Sequence, residues 1–297
     1  MKNSHPTEIE LKLALTPDGP RALTDLPLLG KGALHTLTNT YYDTPQSDLA
    51  RARIAVRLRQ LDGAWLQTVK TAGQGGGGLS ERQEWEWPRD AATLDTASLA
   101  TLPPFQAESE HDLRPVIAHL APQLSTDFQR TRWELDWQDA RIEVVLDQGE
   151  IKSGSHRAPI RELELELKQG DASALWSLAR AHAEHVALRP SDSSKAARGN
   201  ALAAQAWPLP DAQTPSQWLN RTTLALDAFH DSGRAEHLNA ATAALAQLAA
   251  HPALPKALAP QAATLCTTLN AHGHPTRAYG QAALALAQGL AAIDALG

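Results

Sequence analysis

The stretch Arg161-Glu162-Leu163-Glu164-Leu165-Glu166-Leu167-Lys168 alternates charge and leucine without a break. Read as a β-strand, it puts three carboxylates and a lysine on one face and three leucines on the other. The pattern returns along the chain. In Thr7–Leu13, Glu8, Glu10 and Lys12 share one face, and Ile9, Leu11 and Leu13 the other. In 53–61, Arg53, Ala55, Arg57 and Arg59 oppose Ile54, Val56 and Leu58. Arg82, Glu84 and Glu86 share a face in 79–87. Arg130, Arg132 and Glu134 alternate with Thr131, Trp133 and Leu135, and Arg141, Glu143, Val145 and Asp147 with Ile142, Val144 and Leu146. One such strand is an ordinary half-buried strand with its charges in water. A whole set is a different matter.

Signs are segregated: carboxylates cluster at Glu8/Glu10 and Glu162/Glu164/Glu166, and cations at Arg57/Arg59/Lys70 and Arg130/Arg132. Solubilising surfaces mix signs within each strand. Segregation suits an enclosed site in which carboxylates hold a hard divalent cation and basic groups grip phosphate oxygens. Helical segments could then cover the apolar faces, giving an antiparallel barrel with a polar interior.

The remaining expectations follow the chain. A short helix and loop fill 17–33, a strand 35–42, a turn Asp43-Thr44-Pro45, and a helical turn 46–52. Asp62-Gly63 turns a hairpin into a strand at 65–71 that delivers Lys70. Gly73–Gly78 lacks the Gly-Lys-Ser/Thr of a phosphate-cradling loop and reads as a flexible hairpin loop. Residues 90–122 read as helical, strands follow at 127–135 and 141–147, and 149–155 with 158–168 form the last hairpin. A helix at 172–187 precedes a basic loop with Lys195 and Arg198. Near residue 205 the chain turns Ala- and Leu-rich with helical spacing, and Pro208, Pro210 and Pro215 mark a junction between 1–205 and 206–297.

With 297 residues, 43% hydrophobic and 20% charged, the chain reads as a soluble globular protein. No apolar run reaches the ~20 residues of a membrane span, and Met1–Pro6 shows no signal-peptide core. A net charge of −6 argues against nucleic-acid binding. The single cysteine, Cys266, fits a reducing cytoplasm and reads as a buried, inert thiol.

Several motifs together resemble the CYTH, or triphosphate tunnel metalloenzyme, superfamily: Glu8-x-Glu10-x-Lys12, Asn39-Thr40-Tyr41-Tyr42-Asp43-Thr44-Pro45, Val56-Arg57-Leu58-Arg59, Gln67-Thr68-Val69-Lys70, Glu81-Arg82-x-Glu84-x-Glu86, Glu162-x-Glu164-x-Glu166 and Lys195-x-x-Arg198-Gly199. The resemblance covers about residues 5–205, and the layout is most similar to bacterial inorganic triphosphatases with a helical domain after the CYTH domain. It implies an α+β fold: an eight-stranded antiparallel tunnel with covering helices, followed by a small all-helical domain. It implies hydrolysis of inorganic tripolyphosphate with Mg²⁺ or Mn²⁺. Carried over residue by residue, Glu8, Glu10, Glu164 and Glu166 hold the metal, and Glu162 and Asp147 serve it or orient basic residues. Glu84 and Glu86 take similar supporting roles. Lys12, Arg57, Arg59, Lys70, Arg82, Arg130, Arg132, Lys195 and Arg198 bind phosphate. Tyr41, Tyr42 and Asp43 read as structural.

The same fold admits nucleoside or thiamine triphosphates as substrate, or cyclisation by a class IV adenylate cyclase. A binding module for polyphosphate is the non-enzymatic alternative, which the carboxylate rows argue against. The tail has too few basic residues for the polyphosphate-binding helical (CHAD) domain that such proteins often carry. It reads as a helical bundle that packs on the barrel or mediates association, as in a homodimer.

Overall fold

A computed structural model describes residues 7–106 and 113–295. Ten strands form one sheet: β1 (Thr7–Leu15), β2 (Ala33–Asp43), β3 (Ala55–Leu61), β4 (Ala64–Lys70), β5 (Gln74–Gly76), β6 (Leu79–Arg89), β7 (Ala121–Trp137), β8 (Ala140–Ser153), β9 (His156–Gln169) and β10 (Leu188–Pro190). Eight of them run in the order β1-β9-β8-β7-β2-β3-β4-β6, and β1 pairs with β6 to close the ring. Every pairing is antiparallel. The fold is thus a closed antiparallel barrel with helices, of mixed α+β class. Closure leaves the eight ring strands no free edge along the tunnel.

Alternation decides what faces in. Register pairs Glu10 with Glu166 and Lys12 with Glu164, Glu8 with Arg82, and Arg130 with Asp147. Paired residues share a face, so the charged rows of the sequence meet inside. The leucines of β1, β8 and β9 face out. Leu11, Leu13, Ile142, Val144, Leu146, Leu163 and Leu165 are buried there under α4 (Ser173–Ala183) and the C-terminal helices α6 (Pro215–Ser232), α7 (Ala235–Ala249), α8 (Ala259–Thr268) and α9 (Arg277–Asp294). One apolar core therefore joins the barrel to these helices. On the far side, Leu49, Val56, Val69, Leu99, Phe105, Leu113 and Ile117 make a separate core under the connection from β6 to β7.

One end of the barrel interior is apolar. Leu37, Tyr41, Leu124, Phe128, Ile151 and Ile160 fill it, and Leu202 of α5 (Lys195–Ala204) joins them. Gly149 lies opposite Phe128, whose Cα and Cβ occupy the place a side chain would need.

Five expectations are corrected. Residues 90–122 are not largely helical. They hold one four-residue helix, α3 (Thr96–Leu99), and two 3-10 turns starting at Pro103 and Pro115, and the strand already begins at Ala121. Prolines at 103, 104, 115 and 122 interrupt any longer helix; the part of that expectation at 107–112 lies outside the described residues, as does Met1–Pro6. Residues 149–153 belong to β8, which runs unbroken from Ala140. Gln74–Gly76 is a short strand on β6, where Gly75, Gly77 and Gly78 take positive φ. Cys266 is exposed, on the outer face of α8. Lys195 and Arg198 stand on α5 itself, capped by Ser194 whose side chain accepts from Ala197 N. Among the described residues, no helix is long and apolar enough to cross a membrane.

Candidate active site

The interior opens as a cavity of about 840 Å³. Glu8, Glu10, Lys12, Arg57, Arg59, Lys70, Arg82, Glu84, Glu86, Arg130, Glu164, Glu166 and Lys195 line it. Glu162, Asp147, Arg132 and Arg198 do not. Asp147 and Glu162 are buried beneath Lys195, which bonds to both. The Arg132 side chain is 43% exposed and pairs with Glu134 and Glu143. Arg198 points away, binding Glu162, Asp231 of α6 and the Pro159 carbonyl.

On the acidic side, Glu8 accepts from Lys70 Nζ (2.8 Å) and Arg82 Nε (2.8 Å), and Glu10 from Arg82 Nη2 (2.6 Å). Glu166 pairs with Lys168 at 2.6 Å. Burial, and then the nearby charges of Glu8 and Glu143, raise Glu166 above the ordinary carboxylate range despite that lysine. Glu8, Glu10, Glu143 and Glu166 thus form a wall where carboxylates crowd one another. Hard oxygen donors of this kind suit a divalent cation.

A second acidic group behaves differently. Asp147, Glu162 and Glu164 each offer an oxygen within 4.8 Å of the others, a spacing that could hold a metal ion. The Lys195 ammonium already sits among them, at 2.8, 2.6 and 2.9 Å. Arg130 adds a two-pronged contact to Asp147 (2.7 Å each) and one to Glu164 (3.0 Å). Burial would raise Asp147 and Glu164, but Lys195 and Arg130 hold both below their ordinary values. Lys195 is a built-in cation for this trio, and its own pKa is raised, burial being outweighed by the three carboxylates.

The basic side is less well matched. Arg59 donates from Nε to the neutral Asn39 amide (2.9 Å), which in turn is held by Thr126. Burial, with Arg57 and Arg130 close by, brings Arg59 down to about 9. Arg57 has its nearest carboxylate, Glu84, at 3.9 Å, and its buried Nε has no partner. Crowded guanidiniums without a full complement of anions describe a place built for an anion. Tyr41 stands beside them: burial would raise it, but Arg57, Lys195 and Arg59 hold its phenol below the ordinary value.

Tyr41 therefore lines the cavity, where the sequence reading has only packing for it; Tyr42 packs outside. Asp43 does serve the turn, accepting from the Thr44, Leu49 and Ala50 amides. Further lining residues that sequence reasoning did not single out include Glu143, Lys168, Ser191, Asp192 and Asn200. Glu143 and Lys168 carry a readable signal, since each shares a face with an acidic row. Asp192 carries none; its Oδ1 accepts from Gly78 N at 2.6 Å, and burial pushes it up to about 6.

The family model described as CYTH domain matches residues 6–199. An inorganic triphosphatase from Haemophilus influenzae is 35% identical over 226 residues, which span 74% of this chain and 60% of that protein. The chain thus spans about three fifths of the length of that relative. Among solved structures, a putative adenylyl cyclase from Hippeastrum, described as having a dominant triphosphatase activity, is 21% identical with a TM-score of 0.44, covering 65% of this chain and 95% of its own. A putative adenylate cyclase from Bacillus halodurans is 18% identical with a TM-score of 0.36, covering 59% of this chain and 89% of its own.

Proposed function

The chain belongs to the CYTH family, and from that premise we propose that it hydrolyses inorganic tripolyphosphate to pyrophosphate and phosphate inside the barrel, with Mg²⁺ or Mn²⁺. The observation that carries the reading is the under-matched pair Arg57 and Arg59 facing, within one cavity, the crowded carboxylates Glu8, Glu10 and Glu166. An anion suits the first wall and a divalent cation the second. A pure anion-binding module would gain nothing from the second.

Phosphoryl transfer asks a protein for positioning and charge neutralisation more than for covalent chemistry. Arg57, Arg59 and Arg130 grip phosphate oxygens with planar forks, and Lys12 and Lys70 act as point charges. Glu8, Glu10 and Glu166 would hold the metal, beside Glu164, which Lys195 and Arg130 already neutralise; the metal would supply charge neutralisation for phosphate oxygens and a lowered pKa for bound water. Lys70 and Arg82 hold the Glu8 and Glu10 carboxylates in place until then. The apolar end around Phe128 and Leu202 shuts out bulk water, which strengthens each of these contacts.

The test is phosphate release from tripolyphosphate, ATP and thiamine triphosphate, each with Mg²⁺, Mn²⁺ or EDTA, with cyclic AMP followed in the ATP reactions. The reading expects EDTA-sensitive cleavage of tripolyphosphate ahead of the organic triphosphates. Glu8→Gln and Glu10→Gln should each lower kcat by ~10²-fold or more, as loss of a metal-positioning carboxylate does. Turnover that survives both changes would remove the metal assignment. Preference for ATP, or cyclic AMP as product, would replace the substrate.

A further inference from the structure

The C-terminal helices do more than cover the barrel. Asp227 of α6 is 5% exposed and accepts three kinds of donor: Arg189 Nη1 at 2.6 Å, Ser191 Oγ at 3.1 Å to each oxygen, and Ser193 N at 3.2 Å. Arg189 alone would satisfy the charge of a buried carboxylate. The remaining oxygen of Asp227 is turned to the segment that runs from β10 to α5.

That segment touches the cavity at every step. Ser191 N makes a backbone bond to Lys12 O at 3.0 Å. Ser191, Asp192 and Ser194 line the cavity. Lys12 Nζ donates to Ser193 O at 3.4 Å. Lys195, next in the chain, fills the carboxylate trio. After Ser191 the segment leaves the sheet, so side chains must hold it. One turn beyond Asp227, Asp231 accepts from Arg198 Nε and Nη2 at 3.0 and 2.6 Å. Lys195 is thus bracketed by tethers from one helix, at Ser193 before it and Arg198 after it.

We propose that Asp227, in the C-terminal helical region, is a positioning residue for the cavity, holding the Ser191–Ser194 segment so that Lys12 and Lys195 keep their places in the cavity wall. The proposal rests on the triphosphatase reading above. Displacing a binding group by about an ångström is enough to cost tenfold or more in rate. The helical region is therefore a part of the site, and the cavity is incomplete without it.

The test compares Asp227→Asn, Ser191→Ala, the double variant Arg189→Met/Asp227→Asn, and Leu265→Ala on α8, which opens the core of the helical region and removes none of the segment's hydrogen bonds. Asp227→Asn should raise KM for tripolyphosphate and lower kcat, each about tenfold. Ser191→Ala, which removes one hydroxyl and no charge, should raise KM several-fold at nearly unchanged Tm. Removing the stranded arginine should not restore the double variant. Leu265→Ala should lower Tm while KM and kcat at 20 °C stay as in the parent protein. Unchanged KM and kcat in Asp227→Asn and Ser191→Ala, or full recovery in the double variant, overturns the proposal, since Asp227 then only neutralises Arg189. If the parent protein turns over no triphosphate, the functional reading fails by itself. Calorimetric binding of tripolyphosphate to the same variants then decides, with an about tenfold weaker Kd in Asp227→Asn expected and an unchanged Kd refuting.

Discussion

Lys195→Ala tests the central electrostatic claim, that a lysine stands where a metal could be. The substitution deletes an ammonium bonded to Asp147, Glu162 and Glu164 at 2.8, 2.6 and 2.9 Å. Removing one partner from a buried ionic group costs about 3–5 kcal/mol, because the remaining charges stay buried without compensation. Arg130 and Arg198 still reach the trio, which places the expected loss near the lower figure. For 297 residues, an unfolding entropy of ~2.1 cal/mol/K per residue converts about 3 kcal/mol into a Tm drop of roughly 5 °C. The vacancy leaves three carboxylate oxygens within 4.8 Å of one another. A divalent cation should therefore stabilise the variant beyond its effect on the parent protein, by about 2.7 kcal/mol at a hundred times its Kd. Acid should narrow the deficit. Lys195 holds Asp147 and Glu164 below their ordinary values, a contribution present above pH ~4 and lost as those groups protonate. The assay is thermal melting at pH 7 with Mg²⁺, Mn²⁺ or EDTA, and at pH 3 without metal. A variant that melts within 1 °C of the parent protein, with no added response to metal, would refute the reasoning.

Two further perturbations probe the scaffold. His182 is wholly buried on α4, both ring nitrogens lack a partner, and burial holds its pKa down at about 4. The unfolded chain binds that proton below pH 6.5, so stability falls on acidification, by about 2 kcal/mol between pH 7 and 5. His182→Leu should remove that part of the pH dependence, which urea midpoints at the two pH values measure; an unchanged slope would place the titration elsewhere. Gly149→Ala would set a Cβ 2.1 Å from the Asp127 carbonyl and 2.5 Å from Phe128 Cα. Backbone cannot yield cheaply, so a loss of about 3 kcal/mol or more is expected from the same urea titration. A milder loss would mean that the β7–β8 pair is free to shift.

Much of the barrel is legible because strand alternation is a local property. Leu163 and Glu164 point opposite ways whatever the rest of the chain does, so the charged and apolar faces follow from neighbouring residues alone. Helical spacing shows the C-terminal helices for the same reason. The connection at 90–122 misleads because Leu94, Leu99, Leu113 and Ile117 do meet in one core, but as separate turns brought together by tertiary packing. Periodicity records burial, and burial there does not come from one helix.

The site is legible in composition and not in pairing. Which carboxylate meets which cation depends on closure, which sets Glu8 beside Arg82 and Lys195 among residues 31 and 33 positions away. Asp227 and Asp192 carry no motif, since their roles come from a segment and a helix meeting at the cavity's edge. Yet the segregation of sign that makes the rows stand out has a physical consequence in the folded ring. Acidic β1 and β9 are neighbours, and so are basic β3 and β4, with Arg130 projecting from β7. Some opposite signs meet on neighbouring strands, as Glu8 with Arg82 and Arg130 with Asp147, and the rest must neutralise each other across the interior. That works for Glu8 and Lys70, and for Glu164 and Arg130, but it fails at Arg57 and Arg59. A polyanion between the walls completes what the side chains leave unmatched, so the barrel is expected to gain stability when tripolyphosphate enters.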